Sequence, residues 1–313
     1  MRGLLVVNPV ASAATARSRD ALLGALAGTV ETEVAETEHR GHAAELAADA
    51  RRDGVDVVVV LGGDGTVNEV VNGLLGEDPT RERPTSGVPA LAVVPCGGTN
   101  VLARSLGLPR DAAESVDVLL DALRTGRRRT VGLGRADGRW FTFGAGFGLD
   151  AEVVADMERR RAAGRPASAA LYVVTGVRRF FARGRSAAGP LRLERPTEPP
   201  VAGLHVVIVT NTAPWTYLGN RPVDPTPHAR FDTGLDVFGL RSLGTASTLR
   251  HIRQILTADG RPPRGRTVVS LHDLDRFTVI ASRPTAFELD GDFLGTRSRV
   301  TLEAVPRALT LVL

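Results

Sequence analysis

From Val57 to Asn72 the chain reads Val-Val-Val-Val-Leu-Gly-Gly-Asp-Gly-Thr-Val-Asn-Glu-Val-Val-Asn: an apolar run, three glycines within four residues, then a helical pattern. A strand that turns into a helix through glycines points backbone N–H groups outward at the helix N-terminus. The partial positive charge there holds phosphate oxygens without any cationic side chain. Asp64 stands among those donors, and beside a phosphate it needs a magnesium ion, or the ion's water shell, between the two negative charges. The plain alternative is a tight turn with Thr66 as N-cap.

A second block repeats the design in Ala92-Val93-Val94-Pro95-Cys96-Gly97-Gly98-Thr99-Asn100-Val101-Leu102-Ala103-Arg104. Two such turns at neighbouring strand ends face one crevice, where open α/β sheets bind ligands. Asn8-Pro9 after the first strand and Thr37 after the second reach the same edge. A third block, Phe143-Gly144-Ala145-Gly146-Phe147-Gly148-Leu149-Asp150-Ala151, has a strand before it and a helix after it, but the third glycine of a dinucleotide fingerprint is replaced by Leu149. Near the C-terminus, Glu288-Leu289-Asp290-Gly291-Asp292 sets two carboxylates around a glycine. On an extended chain Asp290 and Asp292 share a face, one as general base and one as its partner. An Asp-Gly hairpin turn is the simpler reading.

These residues need a scaffold. Apolar strands at Leu4 to Val7, Val30 to Val34, Val57 to Leu61 and Ala90 to Val94 alternate with helical patterns from about Arg17, Gly41, Thr66, Gly98 and Asp111, the reading of a parallel α/β sheet. After about Arg128 come alternating runs at Val206 to Val209, Gly234 to Leu240, Phe277 to Ile280, Ala286 to Leu289, Arg299 to Leu302 and Leu309 to Leu313. They predict a second, mostly antiparallel, β-rich domain, with helices at Leu149 to Arg161 and Ser168 to Ala182. The Pro-rich stretches Arg195 to Val201 and Asn220 to Pro227 read as loops. The expected division is residues 1–127, joined by 305–313, and residues 128–304.

Composition removes several chemistries. All 39 basic residues of the Lys+Arg count are arginine. A chain without lysine has no Walker-A lysine, no protein-kinase strand lysine and no Schiff base. One cysteine, Cys96, excludes a disulfide framework and multi-cysteine metal sites. The apolar start Leu4 to Val7 is too short for a signal peptide, and a cytoplasmic protein is expected. A formal net charge of +4 without aromatic interleaving offers no nucleic-acid reading.

Taken together, the Gly62-Gly63-Asp64-Gly65-Thr66 run with Asn68-Glu69-Val70, the Pro95 to Arg104 run, the Gly146 to Ala151 run and Asp290-Gly291-Asp292 resemble, in order, the bacterial soluble diacylglycerol kinase family. That family includes sphingosine-kinase-like lipid kinases and is more distantly related to NAD kinases. The resemblance implies an NAD kinase-like nucleotide-binding domain and a β-rich lipid-binding domain. It further implies transfer of the ATP γ-phosphate to the primary hydroxyl of a diacylglycerol-like lipid, giving phosphatidic acid.

By this resemblance Asn8, Pro9, Thr37, Gly62, Gly63, Asp64, Gly65, Thr66, Asn68, Gly97, Gly98, Thr99 and Asn100 surround ATP. Asp64 holds Mg2+ through water, Asp290 is the general base and Asp292 its companion acid. Three departures stand out. Gly98 occupies the usual threonine position, with Thr99 one residue later. Asp292 is one methylene shorter than the family's glutamate. Phe231 replaces one ligand of a structural magnesium site that would draw on Asp232 and Asp236. The expected partners are a lipid and an anionic membrane surface at the inner face, with a homodimer open. The arginine-rich stretch Leu171 to Arg183 is one candidate for the membrane contact. An NAD kinase-like enzyme with a soluble acceptor and a nucleotide-binding protein without catalysis remain the alternatives.

Overall fold

The computed structural model describes residues 1–11, 16–76, 87–164, 171, 175–176, 189–257 and 259–313. By backbone contacts the chain forms two units. One comprises Met1–Leu133, Gly138–Trp140 and Pro306–Leu313; the other comprises Gly134–Asp137 and Phe141–Val305.

In the first unit β1 (Arg2–Val7), β2 (Glu31–Glu36), β3 (Val57–Gly62) and β4 (Ala90–Pro95) are parallel and ordered β4-β3-β1-β2. The chain's end runs beside β4, with Leu311 opposite Leu91. Helices α1 (Ala16–Leu26), α2 (His42–Arg52), α3 (Asp64–Leu75), α4 (Val101–Ser105) and α5 (Ala112–Thr125) connect the strands. β3 and β4 are apolar and buried along their whole length, as central parallel strands must be when both faces are covered. β2 reads Glu-Thr-Glu-Val-Ala-Glu, is largely exposed, and forms the edge. Asp111 caps α5 by accepting N–H bonds from Ala113 and Glu114, and Gly126 ends it in the left-handed region.

Register decides where the functional segments emerge. Val7 pairs with both Glu36 and Leu61, and Gly62 pairs with Pro95. Asn8, Thr37, Gly63 and Cys96 therefore leave the sheet along one edge, and the chain diverges to opposite sides at β1 and β3, the switch point of this sheet. Two boundaries differ from the sequence reading. α3 starts at Asp64 with extended Gly63 before it, so Thr66 is a buried first-turn residue and not the cap. α4 begins at Val101, because Asn100 sits at φ 50 and breaks the helix that the sequence suggests from Gly98.

β5 (Arg128–Ala136) and β6 (Arg139–Phe141) follow. The second unit then holds β7 (Gly144–Gly148), α6 (Leu149–Ala162), β8 (Leu191–Arg195), β9 (Glu198–Leu204), β10 (Val206–Thr210), β11 (Thr216–Leu218), β12 (Arg221–Val223), β13 (Leu235–Leu240), α7 (Thr245–Thr257), β14 (Val268–Leu274), β15 (Arg276–Leu289) and most of β16 (Asp292–Val312). Its sheet runs β14-β13-β10-β7-β15, with β8 and β16 also on β15, and these pairings are antiparallel. Phe141, Phe147, Leu193, Leu204, Val207, Phe277, Phe287 and Leu302 are among its core residues.

The stretch from Arg195 to Val201 is not a loop. It closes the β8-β9 hairpin, and Pro199 and Pro200 are tolerated because, among the described residues, β9 pairs only with β8. Arg221–Val223 is likewise a strand, paired with β11. The glycines of the third block are not a turn: Gly144–Gly148 are themselves strand β7, hydrogen-bonded on both sides, with β6 before it and α6 starting directly after it at Leu149. Most of the expected helix from Ser168 to Ala182 lies outside the described residues.

Candidate active site

In the first unit the two glycine turns touch backbone to backbone. A Cβ on Gly97 would lie 2.8 Å from Gly63 Cα, and one on Gly63 would lie 3.2 Å from Gly97 Cα, so any side chain drives the turns apart. Gly62 is equally tight, since a Cβ there meets the Thr66 Cβ at 2.9 Å. Asn100 closes the second turn on itself: its Oδ1 accepts the Gly97 N–H at 2.9 Å and its Nδ2 donates to the Gly97 carbonyl at 2.8 Å. Asp64, half-buried at the first position of α3, accepts the Leu102 N–H at 3.3 Å and ties the two helix starts together. Asn8 donates to Thr66 Oγ1 at 2.8 Å while its Oδ1 accepts the Val10 N–H.

The structure thus gathers Asn8, Gly62, Gly63, Asp64, Thr66, Gly97 and Asn100 around the two helix starts. Gly65, in the first turn of α3, and Thr99 are half-buried beside it, and Pro9 and Gly98 are exposed. Thr37 is held at the same edge by its N–H to the Val7 carbonyl. Asn68 is turned elsewhere: buried, it donates to the Trp140 carbonyl at 3.1 Å and bonds Asn72. Its neighbour Glu69 serves α2, accepting the N–H groups of Gly41 and Ala43 at that helix's start.

In the second unit Asp290 and Gly291 form the tip of a two-residue hairpin between β15 and β16, with φ 49 and 81 and with Leu289 opposite Asp292. Positive φ at both positions is the type I′ signature. Asp290 and Asp292 therefore do not share the face of one extended strand, because the turn separates them. Unlike an ordinary hairpin tip, the Asp290 carboxylate is buried. One oxygen accepts the Thr142 N–H at 2.6 Å and the Thr142 hydroxyl at 2.9 Å, and the other accepts the Phe143 and Gly144 N–H groups at 3.0 Å each. Three of these donors are fixed backbone. The fourth is the hydroxyl of Thr142, itself buried.

Two acids that the sequence reading did not single out lie behind this turn. Glu288 is buried and its Oε2 accepts the Gly291 N–H at 2.8 Å, bracing the tip. A Cβ on Gly146 would lie 2.2 Å from Asp150 Oδ2 and 2.5 Å from Glu288 Oε1, so both carboxyls crowd over a position that must be glycine. Asp150 Oδ2 is buried without a hydrogen-bond donor. A proton shared with Glu288 supplies the missing donor. Burial raises the Asp150 carboxyl to about 7, and burial together with the Asp150 charge raises Glu288 well above the usual carboxylate range.

A stability consequence follows. In the fold Asp150 keeps its proton to about pH 7 and Glu288 is raised as well, whereas an unfolded Asp releases its proton near 3.8. Folded stability is therefore lost as pH rises through that window. Glu288→Gln, whose amide is a permanent donor, is expected to reduce the fall in stability between pH 5 and pH 8 by roughly 1–2 kcal/mol. Thermal unfolding of both proteins at the two pH values measures this, and equal falls would remove the shared proton.

Asp236 is buried on β13, and its Oδ1 is taken by His272 Nδ1 at 2.7 Å and by the Asp273 N–H at 3.0 Å, while Asp232 is exposed. Among the described residues no three acids, histidines or cysteines are placed to hold a metal. Of the two acids drawn on for a structural magnesium site, Asp236 has its Oδ1 bonded to protein donors and Asp232 is exposed, and Phe231, at the place of a third ligand, is buried in the core.

Residues 2–136 match the family model of the diacylglycerol kinase catalytic domain. A diacylglycerol kinase of Bacillus subtilis (strain 168) is 38% identical over 127 residues, 41% of this chain and 38% of that protein. One from Staphylococcus aureus (strain Newman) is 33% identical over 142 residues, 45% of this chain and 41% of that protein. The aligned part thus spans about two fifths of these relatives' length. A solved structure of a diacylglycerol kinase from Bacillus anthracis str. Sterne covers 99% of this chain and 96% of its own at 20% identity, with a TM-score of 0.69. An NAD kinase from Archaeoglobus fulgidus in complex with ATP covers 100% of this chain and 94% of its own at 12% identity, with a TM-score of 0.52. Residues 2–136 are therefore similar to the diacylglycerol kinase catalytic domain, in an α/β fold that the whole chain shares with a solved diacylglycerol kinase and with an NAD kinase.

Proposed function

We propose that this chain is an ATP-dependent lipid kinase that moves the γ-phosphate of ATP to the primary hydroxyl of a diacylglycerol-like lipid, with phosphatidic acid as the product. The observation that carries the phosphate half of this reading is the backbone contact of Gly63 with Gly97, which supports a lysine-free phosphate cradle at the switch point of a parallel sheet. The lipid half rests on the likeness of residues 2–136 to diacylglycerol kinases.

In this reading residues 1–127 with 305–313 bind the nucleotide and residues 128–304 the lipid. The backbone amides at Gly63 to Gly65 and at Gly98 and Thr99 face the phosphate oxygens, with Asn100 holding the Gly97 turn in place and Asn8 fixing the Thr66 hydroxyl beside them. Half-buried Asp64 at the start of α3 suits a magnesium ion held through water. That ion, when bound, neutralises charge on the phosphate oxygens during transfer. Three backbone N–H bonds orient the Asp290 carboxylate. The Asp290 carboxylate accepts the proton of the lipid hydroxyl as the hydroxyl oxygen bonds to the γ-phosphorus and the bond to the β-phosphate oxygen breaks, releasing ADP. Because the acceptor is a bilayer component, the enzyme works at the inner membrane face as a peripheral protein; no helix among the described residues is long and apolar enough to cross a membrane.

The fold shared with an NAD kinase keeps a soluble acceptor as the second reading. Incubation with labelled ATP, magnesium and a total lipid extract, beside a parallel incubation with NAD, separates the two. Label in phosphatidic acid that depends on micelles or liposomes is the expected result. Label in NAD, or in no lipid, would end the lipid-kinase reading.

A further inference from the structure

Helix α7 presents its faces the wrong way round for its sequence. The residues it buries are polar: Thr248 and His251. Thr248 Oγ1 and both ring nitrogens of His251 are buried without a partner. Ile255 packs against Val206, Ile208, Phe238 and Leu240 on the same side. Leu249 and Ile252, by contrast, are 61% and 43% exposed, and they are two of only five large hydrophobic residues exposed among the described residues.

At about 100° per residue, Ile252, Leu256 and Leu249 fall within roughly 60° of arc, immediately beside the buried arc of His251, Ile255 and Thr248. A rotation of about a quarter turn would bury the apolar strip and return Thr248 and His251 to water. Both the hydrophobic effect and hydrogen-bond satisfaction favour that rotation. A helix that defies both in isolation is shaped for something outside the chain.

The charges around the strip say what that is. Arg253 and then Arg250 follow it around the helix, and Arg241, Arg261, Arg264 and Arg266 are exposed in the flanking segments. From Arg241 to Arg266 the single acid is Asp259. None of these six arginines makes an ion pair among the described residues.

We infer that α7 lies on an anionic lipid surface, with Leu249, Ile252 and Leu256 entering the acyl boundary and the surrounding arginines resting on headgroup phosphates. Long arginine stems let the strip sink while the guanidinium groups stay at the phosphates. A second copy of the chain fits less well, because facing α7 to α7 sets Arg250 and Arg253 against their own copies. The choice of partner rests on the lipid-kinase reading, but binding is measured without nucleotide, so the two succeed or fail separately.

The test is co-sedimentation of the full chain with vesicles of phosphatidylcholine alone and of phosphatidylcholine with phosphatidylglycerol. Binding to the anionic vesicles only is expected. Arg250→Gln with Arg253→Gln should weaken it about 25-fold, roughly fivefold per arginine, and flatten its dependence on salt. Leu249→Ser with Ile252→Ser should weaken it at least tenfold, with an unchanged thermal midpoint because both side chains are exposed. Wild-type binding that is absent, or that is equal in both double variants, would overturn the assignment. So would a dimer in solution that the Leu249→Ser, Ile252→Ser variant converts to a monomer, because the strip would then belong to a second copy.

Discussion

Asp64→Asn is expected to leave a folded chain that has lost phosphoryl transfer by about 10²–10³-fold, the rate equivalent of the several kcal/mol a positioned metal ion contributes. The amide keeps the shape of the carboxylate, and its oxygen can still accept the Leu102 N–H that joins α4 to α3. At the first position of a helix the lost negative charge costs about 0.3–1 kcal/mol of stability, too little to unfold the first unit. What the amide cannot do is attract a divalent cation. The measurement is kcat as a function of magnesium concentration, with a thermal midpoint for each protein. Nearly unchanged kcat at saturating magnesium would remove Asp64 from the reaction.

Asp290→Asn should lower kcat by about 10²–10⁴-fold with little change in the apparent affinity for ATP, because proton acceptance contributes only in the transition state. The structure adds a second effect. Each carboxylate oxygen accepts two donors, so an asparagine in either orientation turns its NH2 toward two N–H or O–H groups. The unmet donors are buried, and stability should fall by about 1–3 kcal/mol. The two effects are separable. Thr142→Val removes the one alcohol donor and leaves the three backbone bonds and the carboxylate in place. It should spare most of the activity, whereas Asp290→Asn should not. Assays run well below both thermal midpoints make the comparison, and full activity in Asp290→Asn would end the general-base assignment.

Much of the first unit is legible in the sequence because its physics is local. Val57 to Leu61 and Ala90 to Val94 are apolar without interruption, which only a strand covered on both faces needs. The glycines that follow them mark the strand-to-helix turns, and Asp290-Gly291 suits a type I′ hairpin by its own backbone preferences. The same letters do not report pairing. Pro199 and Pro200 suggest a loop until β9 is seen to pair, among the described residues, only with β8, and Asn68 reads as a nucleotide contact until its amide is found on the Trp140 carbonyl.

The acid pair illustrates the same limit. Asp150 and Glu288 are distant in sequence and ordinary in type. The register that sets Glu288 opposite Gly146, with α6 leaving the end of β7, brings their carboxyls over one missing Cβ. Likewise the apolar strip of α7 is written in its spacing, but whether it faces inward or outward is not. Local sequence determines which backbone conformations and which apolar stripes exist. Burial, and with it the protonation and the partners of every polar group, depends on residues brought together from elsewhere in the chain, so the tertiary structure alone decided those.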